Sequence, residues 1–405
     1  MDTKKIYLDY AATTPVDAEV LKTMLPYFSE EFGNASSLHS FGRNVMDAVN
    51  DARKKSAHFL KCLEEEIVFT SGSTESNNLA IKGVLRAYEK NNTEIPHVII
   101  TMFEHNCVLK TCQRLEKEGK IELTFLPVYA DGIIKIVDLE KALKKNTLLV
   151  SAMYVNNEIG TVQPIAQIGK ILAKVNTKRE KKILFHTDAT QAVAYFDTNV
   201  KKLGVDLLSM SAHKIYGPKG VGILYVKKGT LITRIQDGGA QEFAMRSGTL
   251  NSTGIIGLGK AIELLENNKQ KEIKKIQDLR DYLINKVLKE ISGVRLNGSR
   301  KKRSPSIANF SFSNVEGESL LLYLDANGVA CSTGSACSSG SLNPSHVLLA
   351  IGLKPEQAHG SLRVSLGKYT TKKELIDFVS KLKKVLEKLR KVSGELLKEY
   401  YAKKK

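Results

Sequence analysis

The chain has 405 residues, 42% of them hydrophobic and 26% charged, the proportions of an ordinary globular protein with room for two or three domains. No apolar run approaches the roughly 20 residues that span a bilayer, no apolar leader opens the sequence, and the five cysteines form no CxxC pair, which speaks against a membrane protein, a disulfide framework and a zinc site. The excess of 61 Lys and Arg over 43 Asp and Glu gives a net charge of +18, yet much of it lies in mixed Lys/Glu stretches (269–275, 372–391) and in the tail from Tyr400, which read as solvated helix faces rather than as a site for direct nucleic-acid binding.

Strand-like residues begin near Ile6. From about residue 65 to 226 short apolar strands alternate with helical patterns: Ile67–Thr70, Val98–Thr101, Leu148–Met153, Ile183–Thr187, Leu207–Met210 and Gly222–Val226. Between the first two, Ile81, Val84, Leu85 and Tyr88 recur at helical spacing within Glu75–Glu89. Such alternation predicts an α/β fold with a mainly parallel sheet covered on both faces, whose functional groups gather at the carboxyl ends of the strands. A long Lys- and Glu-rich helix is expected over Gly254–Ile291. A smaller α+β unit follows, with strands near Ala308–Ser313 and Leu362–Leu366 and helices near Gly317–Asn327 and Lys372–Leu397. The first dozen residues are expected to join it. This divides the chain into a large domain of residues 15–260 and a small one of residues 1–14 and 261–405.

Three strand-end features carry chemistry. The segment SMSAHK ends on Lys214 beside the turn YGPKG. A partly desolvated lysine there suits a Schiff base with an aldehyde, although a lysine beside a turn is as often a surface residue. Ser211 and His213 flank it with donors suited to a phosphate. In FHTDATQ, 26 residues earlier, Asp188 can stabilise a protonated pyridine nitrogen, and Gln191 is placed to reach a ring oxygen. A lone Asp at a strand end is more often a helix N-cap. In FTSGSTESN a strand runs through Gly72 into a helix, and Ser73 and Thr74 join the first-turn N–H groups as a phosphate cradle. Together they describe the needs of pyridoxal 5′-phosphate.

The sequence resembles the class V enzymes of pyridoxal phosphate fold type I, and within them the cysteine desulfurases of iron–sulfur cluster assembly. The matching segments are YLDYAATTP, FTSGSTESNNLAIKG, VNNEIGTVQPI, TDATQ, SAHKIYGPKGVG, MRSGTLN, NFSFSNVEGESLL, STGSACSSGSLNPSHVL and SLRVSLG, in order from residue 7 to residue 367. The resemblance implies an aspartate aminotransferase-like large domain with a mixed, mainly parallel seven-stranded sheet. It implies that Lys214 carries the cofactor, that Asp188 faces its ring nitrogen, and that Gln191 and Asn157 contact ring substituents or substrate. Ser73, Thr74, Ser211 and His213 bind its phosphate, and Thr249 reaches the phosphate of a neighbouring subunit in a homodimer. His105 stacks on the ring and moves protons, and Arg363, with Asn34, holds the carboxylate of L-cysteine. No metal ligand is expected.

Cys337 stands apart from the other cysteines. Its neighbours in STGSACSSGS are Gly and Ser, those of an exposed loop whose thiol accepts sulfur as a thiolate and passes it on. Cys62, Cys107 and Cys112 are expected to be small buried side chains in a reducing compartment, and Cys331 reads as structural, with a resolving thiol as the alternative. The implied activity is removal of sulfur from L-cysteine, giving L-alanine and a persulfide on Cys337, in the cytoplasm. The acceptor is an iron–sulfur scaffold or a tRNA-thiolation carrier. A selenocysteine-preferring lyase, another class V transferase and a non-catalytic sulfur-delivery or RNA-binding platform are the rivals. Departures from the family pattern are Ala35 after Gly33 and Asn34, and Ala240 and Ala244 where glycine is usual.

Overall fold

The computed structural model describes residues 5–333 and 344–402. Its strands, in chain order, are β1 (Ile6–Tyr7), β2 (Ile67–Thr70), β3 (His97–Thr101), β4 (Glu122–Leu126), β5 (Thr147–Ser151), β6 (Leu184–Asp188), β7 (Leu207–Ser211), β8 (Gly222–Val226), β9 (Val294–Leu296), β10 (Ile307–Phe312), β11 (Val329–Ala330) and β12 (Ser361–Ser365). Seven of them form one sheet in the order β2-β8-β7-β6-β5-β3-β4. All pairings from β7 to β4 are parallel, and β8 alone runs against the rest. Every residue of β2, β3, β7 and β8 is buried. Strands covered on both faces read as unbroken apolar runs, which is why these four stand out in the sequence. The mixed, mainly parallel seven-stranded sheet is the expected one. The strand β4 was not expected, because it lies at the edge with most of its residues part-exposed and its sequence, ELTFL, reads as half polar.

The helix Ser252–Glu290 is 39 residues long, about 58 Å at the α-helical rise. Its first half packs Ile255, Leu258, Ala261 and Ile262 into the core beneath the large sheet. Its second half sends Ile276, Leu283, Ile284 and Val287 into a separate core built around β10 and β12. The helix Ser40–Leu60 packs closely along the first half, and Gly259 permits this: a Cβ there would stand 2.7 Å from the Cβ of Ala52. A three-stranded antiparallel sheet, β12-β10-β9, carries the second core. The chain's first strand, β1, pairs in parallel with β11 beside it. No helix among the described residues is long and apolar enough to cross a membrane.

Candidate active site

Because β8 is reversed, its first residues lie at the same edge of the sheet as the carboxyl ends of the other six strands. One cavity of about 620 Å³ opens along that edge. Its wall comes from the turn after β2 (Ser71–Glu75), from His105 and Cys107 after β3, and from Asn157 after β5. Asp188 and Gln191 at the end of β6, Ser211, His213 and Lys214 after β7, and Arg363 on β12 complete it. Of the residues singled out from sequence, the structure brings together Ser73, Thr74, His105, Asn157, Asp188, Gln191, Ser211, His213, Lys214 and Arg363. Asn34 and Thr249 are exposed and do not line their own chain's cavity. Cys337 lies outside the described residues.

Lys214 ends a single 3₁₀ turn, Ala212–Lys214, that follows β7 directly. Its Nζ donates to the carbonyls of Ala11 and Ala12, at 2.7 and 2.6 Å. Gln191 Nε2 donates to the same Ala11 carbonyl at 2.9 Å. The N-terminal YAATT segment is thus part of the site through its backbone, a contribution that side-chain motifs do not announce. Asp188 is buried, and its Oδ1 accepts from the Thr190 N–H at 2.9 Å while Oδ2 accepts from Asn77 Nδ2 at 2.7 Å.

The helix Ser73–Glu89 starts at Gly72, whose φ of +147° is one that glycine adopts without strain, and its first turn has no side-chain cap. A Cβ on Gly72 would meet nothing nearer than Ser211 Oγ at 3.7 Å. That open cradle, edged by Ser73, Thr74, Ser211 and His213, suits a phosphate. His213 is pushed down to about 4 by burial and by the nearby Lys214 and Lys219 charges, so it is a neutral donor at physiological pH. Ser73 Oγ accepts from Thr190 Oγ1 at 2.6 Å, which ties the cradle to the Asp188 turn.

His105 caps the helix Asn106–Lys117, its Nδ1 accepting from the Cys107 N–H at 3.3 Å. Burial holds its pKa below the usual value. Asp188 pulls the other way, and the Lys214 and His346 charges add to the lowering. Arg363 is buried, with Nη2 on Asp9 Oδ1 and Nη1 on the Asn157 carbonyl, each at 2.9 Å. Its Nε has no hydrogen-bond partner among the described residues. An arginine at a cavity wall suits a carboxylate. Ser332, Ser345 and His346 are held near this wall. Ser332 exchanges backbone hydrogen bonds with Arg363, Ser345 Oγ donates to Glu158 Oε2 at 2.5 Å, and His346 Nε2 lies 3.0 Å from the Glu104 carbonyl.

The family model for aminotransferase class V matches residues 6–378. The chain belongs to that family. It is 53% identical over 390 residues, 96% of each chain, to the cysteine desulfurase IscS of Dictyoglomus turgidum. It is 46% identical to the protein of the same name from Methanosarcina thermophila, over 98% of this chain and 96% of the relative. A solved structure titled NifS-like protein superposes with a TM-score of 0.87 at 36% identity, covering 95% of this chain and 99% of that one. Enzymes of this family use pyridoxal 5′-phosphate. The residues present fit it: an amine for its aldehyde, a buried carboxylate for its ring nitrogen, and an uncapped helix start with an open cradle for its phosphate.

Several side chains of the site were missed in the sequence, Thr190, Cys107 and Asn77 among them. Cys107, expected to be an inert buried thiol, lines the cavity with its Sγ 2.9 Å from His105 Nδ1. Asn77 donates to both Asp188 and Cys107. Cys112 is fully buried as expected, whereas Cys62 and Cys331, like Cys107, are only half-buried. Among the described residues all cysteines are free and no group of side chains could hold a metal.

Proposed function

We propose that this chain is a cytoplasmic, pyridoxal 5′-phosphate-dependent cysteine desulfurase that leaves the sulfur of L-cysteine as a persulfide on Cys337 and releases L-alanine. The observation that carries the reading is a single cavity lined at once by Lys214, Asp188, His105 and Arg363, in a chain whose relatives bear that name. When bound, the cofactor supplies a protonated ring into which the electron pair at the substrate's Cα spreads.

The rest is done by the chain. Lys214 would hold the cofactor through its amine and, when freed, would be the base that removes the substrate's Cα proton. Asp188 keeps the ring nitrogen protonated. Ser73, Thr74, Ser211 and His213 hold the phosphate, joined in a homodimer by Thr249 of the neighbouring copy, a role that its exposed position favours. Gln191 and Asn157 orient ring and substrate, and Arg363 with Asn34 holds the substrate carboxylate. His105 delivers and collects protons above the ring. The Cys337 thiolate then attacks the substrate's sulfur: an S–S bond forms, the C–S bond breaks, and the electron pair left on carbon is protonated to give alanine. The backbone hydrogen bonds that Ser332, five residues before Cys337 in sequence, makes with Arg363 support this step. The persulfide passes to an iron–sulfur scaffold or a tRNA-thiolation carrier. Residues 15–260 form the cofactor-binding domain, and residues 1–14 with 261–405 form the domain that carries Cys337.

The test is an absorbance spectrum of the purified chain before and after L-cysteine, with alanine and sulfide assayed in parallel. A cofactor band that changes with cysteine while alanine appears supports the reading. A colourless protein that yields neither product after added cofactor overturns it.

A further inference from the structure

We propose that Cys107 is a positioning residue that fixes the tautomer of His105, holding the ring proton on Nε2. The argument begins at Asp188. Its Oδ2 accepts from Asn77 Nδ2 at 2.7 Å, and a carboxylate cannot face the amide oxygen instead, so the orientation of Asn77 is settled. The same Nδ2 points a second hydrogen at Cys107 Sγ, 3.0 Å away, and occupies a sulfur lone pair. Thr74 also makes a side-chain hydrogen bond with this thiol, and His105 Nδ1 stands 2.9 Å from Sγ.

An independent contact fixes the direction of that bond. The backbone N–H of Cys107 also points at Nδ1, at 3.3 Å. A protonated Nδ1 would meet this N–H head on. Nδ1 is therefore an acceptor, Sγ–H is a donor to it, and the neutral ring carries its hydrogen on Nε2. The thiol is suited to the task because burial, reinforced by Asp188, pushes it up to about 12 and keeps its proton in place. Polarity thus runs one way from Asp188 through Asn77 and Cys107 to His105. The four residues come from the end of β6, the helix Ser73–Glu89 and the start of the helix Asn106–Lys117.

The tautomer follows from geometry alone. Its consequence, that His105 presents Nε2–H as the proton donor in catalysis, rests on the desulfurase reading. The two are separated by reading the thiol directly. In the infrared spectrum of the purified full chain, the S–H stretch of Cys107 is assigned as the band lost in Cys107→Ala. It is expected at lower frequency than that of the fully buried Cys112, and to move up in His105→Leu. A Cys107 band at the position of an unbonded thiol, or one indifferent to His105→Leu, overturns the proposal whether or not alanine is released. In turnover with L-cysteine, Cys107→Ala is expected to lower kcat about fivefold, the equilibrium weight of one net hydrogen bond, with KM unchanged. Cys107→Ser, which keeps an X–H donor, is expected to restore kcat. An unchanged kcat in Cys107→Ala overturns the catalytic consequence while the infrared result stands.

Discussion

The ion pair Arg53–Glu242 offers a sharp test of how the segment leading to Thr249 is held. Arg53 Nη2 and Nη1 donate to Glu242 Oε1 and Oε2 at 2.5 and 3.0 Å, and Oε2 also accepts the Phe69 N–H at 2.7 Å. The guanidinium donates to the Ile67 carbonyl and lies 4.6 Å from the ring centre of Phe69 and 5.0 Å from that of Phe243. Both side chains are almost wholly buried, 8% and 1% exposed. Glu242→Gln keeps the shape but leaves a buried cation without its counter-charge, and a loss of about 3–5 kcal/mol is expected, with Arg53→Met costing a similar amount. The double variant Arg53→Met/Glu242→Leu removes both charges together. What remains is the unpaired Phe69 N–H and Ile67 carbonyl, about 1–3 kcal/mol each. The double variant should therefore lose clearly less than the sum of the two single effects in urea unfolding of the full chain. A double variant that loses the sum of the two single effects would show that the pair is not coupled and refute the reasoning.

Ala244 has φ of +61°, at the end of three consecutive left-handed residues with Glu242 and Phe243. Ala244→Gly is expected to raise stability by about 1 kcal/mol, and a lower thermal midpoint would contradict this. Arg363→Lys loses the planar fork, so kcat/KM for L-cysteine should fall about 10- to 100-fold, mainly through KM, the worth of a charge-assisted hydrogen bond. Cys337→Ala should still bind the cofactor and show a cysteine-dependent spectral change while producing no alanine; normal alanine production would remove Cys337 from the mechanism. Burial pushes Glu104 up to about 8, against opposing hydrogen bonds from Thr101 and the Met153 N–H. The folded chain therefore holds a proton that the unfolded chain releases near 4.3, and this contribution to stability is lost as pH rises through about 8. Glu104→Gln should gain on the parent in thermal midpoint between pH 6 and 9, and a constant gap across that range would count against it.

Much of the fold could be read from the sequence because a parallel sheet buried on both faces leaves apolar runs that solvent does not dilute. The bounds of β2 and β8 match the expectation, and β3, β5, β6, β7, β10 and β12 differ from it by one or two residues. Strand direction was not legible: β8 reads like its neighbours, and only its hydrogen-bond register shows it reversed. Strand-end chemistry was legible for a related reason. A polar residue that ends an apolar run, such as Asp188 or Lys214, has no core role to explain it.

Asn77 and Cys107 lacked that signal. They sit inside amphipathic helical patterns, where a short polar side chain passes for an ordinary surface or core residue. Their partners are 111 and 30 residues away, so folding alone brings them together. Once assembled, the site shows a consistent bias in its shifted groups. Burial drives His105 and His213 down and Cys107 and Glu104 up, each toward its neutral form. Neutral donors and acceptors orient a bound molecule without competing for its charges. The field in the cavity is then left to a few groups, the Asp188 carboxylate and the Arg363 guanidinium among them. A zwitterionic amino acid meets fixed charge only where its own charge and the cofactor's must be held, and that economy suits a proton-transfer site better than a charged wall would.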